Sequence, residues 1–199
     1  MLPIFNINID PMDQETGCYT VSLVEFPAVE IDFLKFSKDE PIQMLFSDDK
    51  HIVTGVALRA DYPIYRNNRQ YGEHYVVFTK ETIRQIIEKY SKFGFNNLVN
   101  IEHNENNYVN EITMLESYIV DKERGLCPIE FGTVEDGSWI VSYKVNDLNL
   151  WNKIKSGEVK GFSIEGAFRL EKTEDTTISL EKELKTNDFD KFIEELICE

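Results

Sequence analysis

The chain has 199 residues, enough for one domain with a sizeable core plus an extension, and its 42% apolar and 12% aromatic content is that of a folding chain. No apolar run approaches the roughly 20 residues that span a bilayer, and the N-terminal MLPIFNINIDPMDQ carries acids where an export signal carries bases. A net charge of −15 disfavours nucleic-acid phosphates and anionic membrane surfaces as partners and favours basic ones.

In chain order, CYTVSLVEF alternates and is rich in β-branched residues, so it predicts a strand that Pro27 stops. A charged loop, SKDEPIQMLFSDDK, leads to the strand HIVTGVAL, where Gly55 suggests a bend or bulge. HYVVFT is a further strand. Thr79 then caps a helix, KETIRQIIEKYSKF, whose Ile83, Ile86, Ile87 and Tyr90 keep helical spacing until Gly94. LVNIEH, EITMLESYIVD and SWIVSYKV read as strands, and DLNLWNKIKSG as a short helix between an Asp147 cap and Gly157. VKGFSIEGAFRLEK is the last strand. The expected fold is mainly β (α+β): an antiparallel, closed or nearly closed barrel over residues 1–170 with helices packed outside. Residues 171–199 read as an acidic linker followed by a helical tail, DFDKFIEELI, either docked on the barrel or detachable. Such an exposed linker is also a natural substrate for the chain's own active site, if it has one.

Cys18, Cys127 and Cys198 lie far apart without a CxxC pair and read as thiols of a reducing cytoplasm. Of the three histidines, His51 and His74 flank polar loops and read as surface residues, whereas His103 ends an apolar strand beside the loop NENNYVN. A rigid strand end is where a scaffold delivers a functional side chain. In GFSIEG, alternation places Ser163 and Glu165 on one face, about 7 Å apart, and Phe162 and Ile164 on the other. A serine and an acid so placed can bracket an imidazole, which takes the serine proton on one nitrogen and donates to the carboxylate with the other. GFSIEG is not the GxSxG elbow of the α/β-hydrolases. Glu102, His103 and Glu105 offer metal-ligand atoms, but adjacent strand residues face opposite ways and no second His or Cys lies at ligand spacing. No metal or other cofactor is expected. Among 36 acids, no constellation singles out a glycosidase-type pair.

VKGFSIEG preceded by LWNKIKSGE, with NIEH, LESYIVD, VSLVEFPAVEIDF, IVTGVALRADYPIYR and VVFTKETI, resembles the XkdF family of phage serine proteases over residues 19–170. That family is thought to belong with the prohead (capsid maturation) proteases, which share the herpesvirus assemblin fold. The resemblance implies a barrel with peripheral helices and a serine nucleophile, here Ser163, paired with a histidine, here His103. In the larger prohead group a strand resembling EVSLVTFPA follows the serine strand, and its leading acid is a candidate third member. Here the similar TVSLVEFPA precedes both residues, which implies a circular permutation, and its leading position is Thr20. Glu165 is then the expected third member, with Glu25 as runner-up and Glu116 a weaker candidate, unless the position is vacant. The oxyanion donors are expected to be backbone amides, helped by Arg66 or Arg169.

These expectations describe a phage or prophage endopeptidase in the bacterial host cytoplasm, within assembling proheads. It would act on scaffold and major capsid proteins, with self-association expected by analogy and neither nucleic acid nor membrane as a partner. The competing class is a capsid-associated structural or assembly protein that keeps the fold without activity.

Overall fold

The computed structural model describes residues 2–13, 15–28, 44–47, 50–128, 131 and 134–173, with only the backbone for 44–47. The proposed tail beyond residue 173 and Cys198 lie outside the described residues, as does most of the charged loop that follows Ala28. The elements run β1 (Ile4–Asn8), β2 (Gly17–Val24), β3 (Met44–Ser47), β4 (Ile52–Leu58), β5 (Pro63–Asn68), β6 (Gly72–Phe78), α1 (Lys80–Lys92), β7 (Val99–Ile101), β8 (Ile112–Ile119), β9 (Trp139–Val145), α2 (Leu148–Lys155), β10 (Gly161–Ala167) and β11 (Arg169–Lys172).

The fold is mainly β with two helices. Among the described residues the strands make three sheets rather than one closed barrel, in the orders β11-β1-β6-β5, β10-β2-β7 and β3-β4-β9-β8. β10 lies against β4 without a ladder between them. Two bulges interrupt the ladders on these strands: Tyr19 of β2 is the extra residue opposite Glu165/Gly166 of β10, and Ala57 is the extra residue between Val56 and Leu58 of β4, and each bends its own strand. The sheets are not purely antiparallel either: β1 pairs parallel with β6, and β2 parallel with β7. Side-chain alternation carries no information on strand direction, so neither departure was legible in the pattern.

The helices form where their signals lie. Thr79 accepts the Thr82 amide at the start of α1, and Asp147 accepts the Asn149 and Leu150 amides at the start of α2. Ile83, Ile86 and Tyr90 of α1 are buried in the main core together with Val21 and Leu23 of β2. The final predicted strand divides into β10, which pairs with β2, and β11, which pairs with β1 and runs to Lys172. β3 forms inside the segment read as a loop, and β5 inside PIYRNN, which carried no strand assignment.

His74 is not a surface residue: it is 1% exposed, with its Nδ1 against the Gly72 carbonyl and its ring edge-on to Phe5. His51 is half-buried and stacks on Trp151. Both rings pack against aromatic side chains, and His74 also lines a cavity.

An internal cation organises the turn between β1 and β2. Lys89 of α1 is buried, and its ammonium donates to the carbonyls of Asp10, Asp13 and Thr16. Replacing it by methionine keeps the aliphatic stem but takes a donor from three carbonyls, that of Thr16 at a buried contact. Lys89→Met is expected to cost about 2–4 kcal/mol of stability, read as a lowered urea midpoint with an unchanged slope. A loss under about 0.5 kcal/mol, the level of an ordinary surface substitution, would show that the turn holds without it.

Cys18 of β2 is buried, and burial pushes its thiol up to about 12 from a usual value of 9.0. A raised thiol favours the native state fully below pH 9, and that contribution is lost as pH rises from about 9 to about 12. Below pH 9 the native thiol is therefore neutral, and iodoacetamide at pH 8 is expected to leave Cys18 unmodified until the chain is unfolded. Peptide mapping of the alkylated native protein checks this, and rapid native labelling would contradict it.

Candidate active site

The central sheet builds the site. Its strands run β10-β2-β7, and the register sets Ser163 of β10 opposite Ser22 of β2, and Ser22 beside Asn100 of β7. Directly paired residues share a face, so these three form a row across the sheet, with Glu165 two residues along the same face from Ser163. Phe162 turns the other way into the core, where its ring packs 5.6 Å from that of Tyr143.

The glycines framing GFSIEG are set by close approach. A Cβ on Gly166 would lie 1.9 Å from the Gly17 carbonyl oxygen, and one on Gly161 2.6 Å from Pro27 Cγ. Only glycine lets β10 pass this close to β2 at the first of these, where β2 bulges at Tyr19.

His103 arrives from the end of β7. Glu102 and His103 both have φ of 54°, and the Asn104 amide donates to the Ile101 carbonyl across them. Two successive residues in the left-handed region form a mirror-image turn that non-glycine residues adopt at a cost of about 1–2 kcal/mol each. Tertiary hydrogen bonds hold it: the Glu102 amide donates to the Leu23 carbonyl, and the Glu25 amide donates to Glu102 Oε1. Backbone strain of this kind collects at functional sites.

The turn brings His103 Nδ1 to 3.1 Å from Glu165 Oε1 and 3.1 Å from Ser22 Oγ. Ser22 Oγ donates to the same Oε1 at 2.6 Å, and so does Asn100 Nδ2, also at 2.6 Å. Burial alone would raise the Glu165 pKa, but hydrogen bonds from Ser22, Asn100 and His103, with the imidazole's charge, together hold it below the usual carboxylate value. An ionised carboxylate only accepts, and the Ser22 proton is committed to it, so Nδ1 must carry the imidazole hydrogen. In the neutral ring Nε2 is then the basic nitrogen.

The site residues read from the sequence separate at this point. His103 and Glu165 are in contact. Ser163 lies one strand over from Ser22, and among the described residues no hydrogen bond joins its hydroxyl to His103. Glu25 contributes its backbone amide to Glu102, and Glu116 sits in the third sheet accepting the Ser142 hydroxyl; neither carboxylate pairs with the imidazole among the described residues. Thr20 is the direct cross-strand partner of Glu165. Arg169 is engaged with Asp10 and Asp13. Among the described residues no group of three His, Cys, Asp or Glu side chains is placed to hold a metal ion.

Sequence reading missed Ser22 and Asn100. The available signal was a polar residue at the centre of each of two apolar strands, VSLV and LVNI, where an inward-facing hydroxyl or amide needs a partner.

A cavity of about 710 Å³ opens beside β10, with Ser163, Glu165 and Arg66 in its wall and Ile64, Val76 and Phe168 among its apolar lining. The whole defines a class: a mainly β protein with a carboxylate-bound imidazole, whose carboxylate shares one cavity wall with a serine. Residues 41–171 match the family model described as "Putative phage serine protease XkdF", and the chain belongs to that family. No curated protein and no solved structure matches the chain.

Proposed function

We propose that the chain is a phage or prophage serine endopeptidase that cuts scaffold or capsid proteins during head assembly, with Ser163 as nucleophile, His103 as base and Glu165 as the acid that orients the ring. The observation that carries this reading is the Glu165 carboxylate on His103 Nδ1, which leaves Nε2 basic, while Ser163 shares the strand face and cavity wall of Glu165. Ser22 is closer to the imidazole, but it is fully buried and meets the same nitrogen as the carboxylate. A nucleophile must reach substrate and use the opposite nitrogen, so Ser22 does not fit that role.

In this mechanism Ser163 Oγ attacks the scissile carbonyl as its proton passes to His103 Nε2. The imidazolium is stabilised by Glu165, then protonates the leaving amine. Water, deprotonated by the same nitrogen, releases the acyl group from Ser163. Backbone amides near Ser163 are the oxyanion donors in this reading, with Arg66 the cationic group in the same cavity wall.

The missing Ser163–His103 hydrogen bond favours a second reading, a structural or assembly protein of the same fold without activity. Catalytic hydrogen bonds often tighten only when substrate binds, so this geometry leaves the protease reading standing. Labelling with a fluorophosphonate, followed by mapping of the modified residue, separates the two. Modification at Ser163 is expected. A chain that labels nowhere, under conditions where a known serine hydrolase labels fully, is the structural protein instead.

A further inference from the structure

We propose that Ser22 and Asn100 are positioning residues for this reaction: one buried hydroxyl and one buried amide, both on Glu165 Oε1, hold the carboxylate against His103. The inference rests on the protease reading of the site and adds two residues to it. Both side chains are 0% exposed and adjacent in the β2–β7 register. Each donates to the same oxygen at 2.6 Å, short enough to mark charge-assisted hydrogen bonds to an ionised acceptor. Glu165 stands beside the β2 bulge at Tyr19, its side chain partly exposed at the cavity wall. A flexible acid in that position would be expected to sample several rotamers, and two donors fixed in the sheet select one.

A purely structural origin of the cluster accounts poorly for Asn100. Its Oδ1 is buried and accepts no hydrogen bond among the described residues. A core chosen for stability alone does better with an apolar residue there than with an amide satisfied on one side only. The unsatisfied oxygen accompanies a donor half aimed at the Glu165 carboxylate. Rule-breaking of this kind is expected where function sets the residue. Removing either donor should free Glu165 to rotate and should return its pKa toward the ordinary carboxylate value, since hydrogen bonds to the charged form are what hold it down.

The test uses the full chain with Ser22→Ala, Asn100→Ala and Glu165→Gln, singly and combined. Ser22→Ala removes one oxygen atom and is expected to fold. Each single donor variant should lower kcat on a scaffold-derived peptide on the order of tenfold, with KM within about twofold, as loss of one charge-assisted hydrogen bond predicts. In the Glu165→Gln background Ser22→Ala should produce no further loss, because the group it positions is already neutral. A structural role would instead give losses that add. Independently of turnover, the Glu165 side-chain carboxyl followed by carbon NMR should titrate below its usual value in wild type and higher in Ser22→Ala. An additive kcat loss with an unmoved titration overturns the positioning role and leaves the protease reading intact. A moved titration in a chain that neither cleaves nor labels removes the protease reading, and with it the catalytic purpose of the cluster, while the hydrogen-bond assignment stands.

Discussion

Ser163→Ala is expected to lower proteolysis by at least about 10³-fold while leaving the fold unchanged. Removing the nucleophile of a serine hydrolase leaves only binding and oxyanion stabilisation. The hydroxyl itself makes no hydrogen bond among the described residues, so its loss should move stability by less than about 0.5 kcal/mol. His103→Ala should lose activity to a similar extent, and the double variant should be little worse than either, because the proposed mechanism uses the two as a unit. Circular dichroism and a thermal melt establish that the variants fold, and cleavage of a purified scaffold protein reads the activity. A Ser163→Ala protein that still cuts at a comparable rate would sink the serine mechanism, and Ser22→Ala would be the next variant to compare.

Glu165→Gln is expected to cost on the order of 10²–10⁴-fold in kcat, whereas Glu25→Gln and Glu116→Gln should each stay within about threefold of wild type. The magnitude follows from what the acid does. In the proposed mechanism it holds Nδ1–H and stabilises the imidazolium, and an amide of the same shape can present its NH₂ to the ring and turn the tautomer over. Glu25 meets the site through its backbone amide, which the substitution keeps, and Glu116 bonds Ser142 in a different sheet. Steady-state kinetics of the three proteins on one substrate decide it. A larger loss at Glu25 would hand the role to that residue, and small, equal effects throughout would indicate a serine–histidine dyad. Because hydrogen bonds hold the Glu165 pKa down, its ionised form persists to lower pH than that of an ordinary glutamate and is lost as pH falls through the lowered pKa. An acid limb that rises in Ser22→Ala would have the sign expected from losing a donor.

Local chemistry was legible in the sequence because it depends on residues a few positions apart. The Thr79 and Asp147 caps, the buried face of α1, and the shared face of Ser163 and Glu165 all follow from helical or strand spacing. The placement of His103 at a strand end was legible for the same reason, as was the family. Sheet arrangement was not. Whether β10 closes on β4, and whether β2 meets β7 in parallel, depends on bulges and connections that alternation does not encode. The choice of acid was likewise a tertiary matter. Glu165, Glu25 and Glu116 are equivalent as residue types, and only the two-residue left-handed turn at Glu102–His103 carries the ring to the first of them. Ser22 and Asn100 are 78 positions apart in the chain, and each looks like a polar residue tolerated in an apolar strand. The β2–β7 register makes them neighbours, and β10 brings the carboxylate they share. Sequence determined which side chains could take part in an acid–base site; long-range strand register decided which of them meet, because hydrogen-bond geometry tolerates errors of only a few tenths of an ångström.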